Sequence, residues 1–122
     1  LKIKQSNQSK DTLIKIFQDR FGNYRFFLKP NNQIIFFSEP FISKRQCLEK
    51  VDFFRANSRV DKNYKRLRAE CGSYYFVYVS YINGEIIGTS ESYLDASAME
   101  HSITLMRMGI KNVKLDKEVY MV

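Results

Sequence analysis

Two stretches of this chain repeat one another. Residues 21–41 read FGNYRFFLKPNNQIIFFSEPF, and residues 71–93 read CGSYYFVYVSYINGEIIGTSESY. Gly22, Tyr24 and Phe26 align with Gly72, Tyr74 and Phe76 at an offset of 50 residues. Ile34, Ile35, Ser38 and Glu39 align with Ile86, Ile87, Ser90 and Glu91 at an offset of 52. The change of offset places a two-residue difference between the second and third elements of each copy, where a loop absorbs it. A repeat of this length means one supersecondary unit used twice. A lone unit of ~50 residues buries too little core to be stable by itself, so the two copies are expected to share one.

Each copy reads as three strands and a helix. In the first, 13–17 (LIKIF) is short and β-rich, 24–29 alternates, and 34–39 follows a Pro-Asn turn. Pro40 ends the sheet run. Ser43 and Gln46 form a capping box that opens a helix to about Arg55, with Cys47, Leu48, Val51 and Phe54 on one stripe. In the second copy, strands are expected at 64–70, 74–81 and 86–91, with Asn83-Gly84 as the hairpin turn. Asp95 is the expected N-cap of a helix over 96–108 that carries Met99, Ile103 and Met106 on one face. Gly109 is read as its C′ residue. The tail, 110–122, supplies either an edge strand (VYMV) or loose chain. The boundaries are 1–12 for an N-terminal segment, 13–63 for the first repeat, and 64–122 for the second repeat with its tail, all in one structural domain.

The segments NYRFFLK and NGEIIGTSESY, with the helix opening SKRQC, resemble the YegP-like (UPF0339-type) family of small tandem-repeat proteins. Its members typically read Gly-x-Tyr/Phe-x-Phe/Trp-x-Leu-Lys, then Asn-Gly-Glu-x-Ile, then Ser-Glu-x-Tyr, then a helix. The second copy matches the last two of these closely. The first departs, with Asn32-Gln33 in place of Asn-Gly and Ser38-Glu39-Pro40-Phe41 in place of Ser-Glu-x-Tyr. Neither helix carries the family's Asn-Gly-Ile segment. The likeness spans about residues 13–115. It implies an α+β fold: two tandem βββα repeats forming one antiparallel sheet, with two helices packed on one face and each helix on the other repeat's strands. It implies no activity.

Composition excludes several classes. Hydrophobic residues make up 44% and aromatics 15%, too much of both for a disordered chain. No apolar run approaches the ~18 residues of a membrane span. The polar start, LKIKQSNQSKD, has no apolar core, so no signal peptide is expected. Two Cys and one His cannot complete a tetrahedral zinc site by themselves. Cys47 and Cys71 make no CxxC and no disulfide framework, which points to a reducing, cytoplasmic setting. The net charge of +7 is unevenly spread. Residues 1–64 hold 13 Lys/Arg against 6 Asp/Glu, whereas residues 65–122 hold seven of each. Solubility alone accounts for such an excess, and an anionic partner would use it.

Two surfaces are candidates. Alternation turns Tyr24, Phe26, Leu28, Tyr74, Phe76 and Tyr78 toward the helices. Phe27, Tyr75, Val77, Val79 and Tyr81, with Arg25 and Lys29, are then left on a face that no helix covers. An apolar face of that size suits a protein partner or a second copy in a homodimer, the alternative being that the tail, the N-terminal segment or a swapped helix covers it. The second surface is a basic patch drawn from Arg25, Lys29, Lys44, Arg45, Arg55, Arg59, Lys65, Arg66 and Arg68. Cations interleaved with aromatics suit nucleic acid.

The repeated Ser-Glu pairs are read as hydrogen bonding at the strand-to-helix turn. His101 is read as a surface residue of the second helix, Cys47 as a buried small hydrophobe, and Cys71 as exposed at a hairpin. No nucleophile, base and orienter recur together, and there is no phosphate loop, GxGxxG or HExxH. The expectation is therefore a non-enzymatic interaction module, possessing no cofactor, metal or small-molecule substrate, with nucleic-acid binding through the basic first repeat as the alternative.

Overall fold

Alternating side chains decide which side of each strand is buried. In β1 (Leu13–Gln18), Ile14 and Ile16 are wholly buried. In β2 (Tyr24–Lys29), Phe26 and Leu28 point the same way, and in β3 (Phe36–Ser38) so does Phe36. Tyr64 of β4 (Tyr64–Arg68), Phe76 and Tyr78 of β5 (Tyr74–Val79) and Ile87 of β6 (Ile86–Ser90) continue this layer. Helices α1 (Lys44–Ala56) and α2 (Ala96–Gly109) close over it with Cys47, Val51 and Phe54, and with Met99, Ile103 and Met106. The computed structural model describes residues 13–121.

The strands form one seven-stranded sheet in the order β4-β5-β6-β3-β2-β1-β7. The two halves meet at β3 and β6, which pair antiparallel with Phe37 opposite Thr89. Beyond that ladder the seam is closed by Glu39 N–H donating to Ile87 C=O at 2.9 Å and Glu91 N–H donating to Ile35 C=O at 2.9 Å. From the seam each half also makes a matching contact to its own middle strand. Ser38 Oγ accepts from Phe26 N–H at 2.8 Å, and Ser90 Oγ accepts from Phe76 N–H at 3.0 Å. Bridges Tyr24–Phe41 and Tyr74–Tyr93 extend each hairpin in the same way.

Three expectations are corrected. The sheet is mixed rather than wholly antiparallel, because the tail forms β7 (Lys114–Met121) and pairs parallel to β1. After α2 the chain crosses back to the far edge of the sheet, and a crossover is the connection that permits parallel pairing. There, β7 covers an edge that would otherwise expose its N–H and C=O groups, and Leu115 and Val119 pack on the core. Each helix lies over its own half's middle strand, α1 on β2 and α2 on β5, rather than over the other repeat's strands. Phe54 still reaches across, stacking on Phe36 at 5.0 Å and meeting Tyr78 edge-on at 4.9 Å. Finally, Gly109 is not a left-handed C′ residue. Its φ is −121°, and α2 runs through it into a tight turn at Ile110–Asn112, where the burial of Ile110 replaces a glycine stop.

Candidate functional site

Both helices occupy one side of the sheet, so neither covers the other side, and the N-terminal segment lies outside the described residues. The strand registers place one unbroken row of residues across it. Lys65 lies opposite Val77, Val77 opposite Thr89, Thr89 opposite Phe37, Phe37 opposite Phe27, Phe27 opposite Lys15, and Lys15 opposite Asp116. The row is lysine at one end, Val77, Thr89, Phe37 and Phe27 through the middle, and Lys15 opposite Asp116 at the β7 edge.

An aromatic cluster fills the first half of this face. Phe17 and Phe27 sit at 5.7 Å between ring centroids, Phe27 and Phe37 at 5.9 Å, and Phe17 and Phe37 at 6.2 Å, edge to face. Arg25 lies over Phe37 at 5.7 Å and Phe17 at 6.0 Å, and its Nε donates to Ser38 C=O at 3.0 Å. Phe27 is 9% exposed, as is Val77, whereas Phe37 is 40% exposed. In the second half Lys62, Lys65, Leu67, Tyr75, Val77, Val79 and Ile86 line a shallow concavity of about 680 Å³. Of the expected face residues, Phe27, Tyr75, Val77 and Val79 lie here. Tyr81 does not: it follows β5, packs on Phe53 of α1 at 6.4 Å and takes Lys62 Nζ over its ring at 5.1 Å. The alternation that assigned it ends with β5 at Val79, and the chain turns there. Sequence reading missed Phe17, and alternation alone leaves either Ile35 and Phe37 or Ile34 and Phe36 on this face, a choice that the register of Phe37 opposite Phe27 decides for Phe37.

The basic residues do not form one patch. Arg25, Lys29 and Lys65 are on the free face. Arg66, on the helix side, is held by Asp61 at 3.0 Å and Glu100 at 2.9 Å, which raise its pKa while Arg66 in turn holds the Asp61 carboxyl below its usual range. Arg68 lies over the Tyr74 ring at 4.9 Å and donates to Gly72 C=O. Lys44 opens α1, and Arg45 there pairs with Glu49 at 3.7 Å. Arg55 donates to Lys111 C=O, and Arg59 C=O accepts from Arg107. Successive strand residues point to opposite faces, so the run Lys65-Arg66-Leu67-Arg68 splits.

The remaining candidates are structural. Ser38 and Ser90 each donate to the next residue's carbonyl, Glu39 at 2.8 Å and Glu91 at 2.7 Å, which turns the chain out of the strand. Cys47 is buried, and burial pushes its thiol up to about 12, so it is protonated at neutral pH. Cys71 is exposed, and the Ser73 hydroxyl lowers its thiol pKa. His101 is exposed on α2. Sequence reading also missed Asn63, which is fully buried. Its amide donates to Asn57 C=O and to Tyr78 Oη, both at 3.2 Å, tying the linker between halves to β5. Among the described residues, no helix is long and apolar enough to cross a membrane.

No family model matches the chain. It is 31% identical over 106 residues to the UPF0339 protein in the ptx operon 5′ region of Stutzerimonas stutzeri, an alignment covering 86% of this chain and 91% of that one. The chain belongs to the UPF0339 family. The resemblance to YegP-like proteins drawn from its motifs is therefore correct. It is also 31% identical over 89 residues to YegP of Escherichia coli O6:H1, covering 72% of this chain and 80% of that one. Two solution structures share the UPF0339 fold. One is YegP of E. coli, described as of unknown function, with a TM-score of 0.80 and 24% identity over 91% of this chain and 94% of that one. The other is a UPF0339 protein of Shewanella oneidensis, with a TM-score of 0.81 and 21% identity over 91% of this chain and 92% of that one.

Proposed function

We propose that this chain is a non-catalytic interaction module whose working surface is the free face of the sheet. The observation that carries the reading is the row from Lys65 to Lys15, with Val77, Thr89, Phe37 and Phe27 in its middle and, among the described residues, no helix over it. Contiguous apolar surface with a polar rim is what a partner site needs. A protein partner or a second copy would use Phe37, Val77 and Val79. A nucleic acid would use the same rings together with Arg25, Lys29 and Lys65. The second occupant has specific support in the charges. Within β1–β6 the ionisable residues are Lys15, Arg25, Lys29, Lys65, Arg66 and Arg68 and the tyrosines, with no carboxylate.

The test is an amide-resolved NMR titration of the full chain against its own concentration, with light scattering alongside. A face that binds a second copy gives a mass above the monomer at tens of micromolar and shifts centred on Phe27, Phe37 and Val77. The Val79→Asp substitution then restores the monomer. Shifts confined to α1 and α2 would place the working surface on the other side and sink the reading.

A further inference from the structure

We propose that the free face binds single-stranded nucleic acid, laid across the strands along the row from Lys65 to Lys15. The inference rests on reading this face as a binding surface and names its occupant. Three observations carry it.

The first is charge. The row begins with Lys65 at β4, and Arg25 and Lys29 flank it on β2, whereas at the β7 end Lys15 stands opposite Asp116. The carboxylates within strands are Asp116 and Glu118, both in β7 at the sheet's edge. Elsewhere acids are engaged on the helix side, as in Lys50–Glu85, Arg66–Asp61 and Arg66–Glu100. A polyanion meets the cations of the face with opposite charge.

The second is the arrangement of rings. Phe37 is 40% exposed and is held in place by Phe17 edge-on and by Phe27. Arg25 is anchored through Nε to Ser38 C=O, which leaves its terminal nitrogens to donate to phosphate. Tyr75 lines the concavity on the far side of the seam, with Lys62 and Lys65 beside it. Rings flanked by cations are the elements that hold unpaired bases and their phosphates. A duplex offers no free base faces to stack on, so the occupant is single-stranded.

The third is span. From Lys65 to Lys15 the row crosses about 24 Å at roughly 4.8 Å per strand. That suits roughly four nucleotides, the lower end of site sizes for single-strand binders.

Fluorescence anisotropy tests this with labelled single strands of about twelve nucleotides, thymidine DNA and uridine RNA in separate arms, and a duplex of equal length. Binding of the single strands is expected to weaken by about twenty- to fiftyfold between 50 and 200 mM salt, as three or four phosphate contacts require. Phe37→Ala should weaken it at least about fivefold. Lys65→Glu should also weaken it, and Arg45→Glu on α1 should not. Lys29→Glu gives a second measurement on the face should Phe37→Ala lower the melting temperature. Preference for one arm assigns the strand to DNA or RNA. No binding at low salt overturns the inference, as does equal binding of duplex or an equal loss from Arg45→Glu. If binding is absent while the chain dimerises and Val79→Asp dissolves the dimer, the inference alone falls. If neither binding nor face-centred shifts are seen, the reading of the face falls with it.

Discussion

A β-carbon on Gly88 would lie 2.5 Å from the Phe36 ring and 2.5 Å from the Phe37 carbonyl oxygen. The backbone of β6 therefore passes directly under the central ring of the core. The register slips beside it, where Tyr78 faces Gly88 and Val79 faces Ile86, so Ile87 and Gly88 share the core side. Phe36 cannot yield, because it stacks on Phe54 at 5.0 Å and on Phe76 at 6.3 Å. Gly88→Ala should cost about 3 kcal/mol or more, near the upper end of overpacking penalties. A urea midpoint within experimental error of the parent would contradict this. By comparison, the corresponding turns of the two halves each hold one residue at positive φ, Asn32 at 66° in the first and Gly84 at 74° in the second. Asparagine tolerates that region, so the first half keeps the turn without Asn-Gly.

At the level of elements, the helix starts were the most legible part of the sequence. Ser43 Oγ accepts from Gln46 N–H at 3.0 Å, and Asp95 Oδ1 accepts from Ala98 N–H at 2.8 Å. Cap residues act within a few positions of themselves, so local sequence determines them. The capping box differs in one detail: the Gln46 side chain accepts from Ile42 N–H, one residue before the cap. The parallel pairing of β7 was not legible, because nothing within KLDKEVYM specifies that its partner is β1, a hundred residues earlier in the chain. The Asp95 bond predicts a pH dependence. The Ala98 N–H holds the Asp95 carboxyl below its ordinary 3.8, and the Arg66 guanidinium does the same for Asp61. Both groups bind protons more weakly folded than unfolded, so their stabilisation is present above about pH 4 and is lost as pH falls below it. Urea midpoints from neutral pH down to about pH 2.5 should drop in that window, and Asp95→Asn, which caps without titrating, should shallow the drop. An unchanged profile in Asp95→Asn would remove Asp95 as a cause.

For the molecule as a whole, the two-copy pattern made the inner and outer faces readable, since Phe26, Leu28, Phe76 and Tyr78 are all buried on the helix side. It could not show which cations share a surface. Charge divides by face of the sheet rather than by half of the chain, and a face is assembled from strands distant in sequence. The same assembly makes Phe54 the test of whether residues 13–121 are one cooperative unit. This wholly buried ring belongs to the first half, meets Phe26 at 5.5 Å and Phe36 at 5.0 Å, and meets Tyr78 of the second half at 4.9 Å. The Tyr78 hydroxyl, whose burial pushes it up to about 12, also donates to Phe54 C=O at 3.4 Å. Phe54→Ala should cost about 3–5 kcal/mol, a large share of the ~5–15 kcal/mol that holds a small domain together. If the halves share one core, hydrogen-exchange protection should fall by the same free energy at Ile16 and Leu28 in the first half and at Tyr64 and Ile87 in the second. If Tyr64 and Ile87 kept their protection while Ile16 and Leu28 lost theirs, the seam between β3 and β6 would join two separately folding units, and the free face would be two half-faces moving independently.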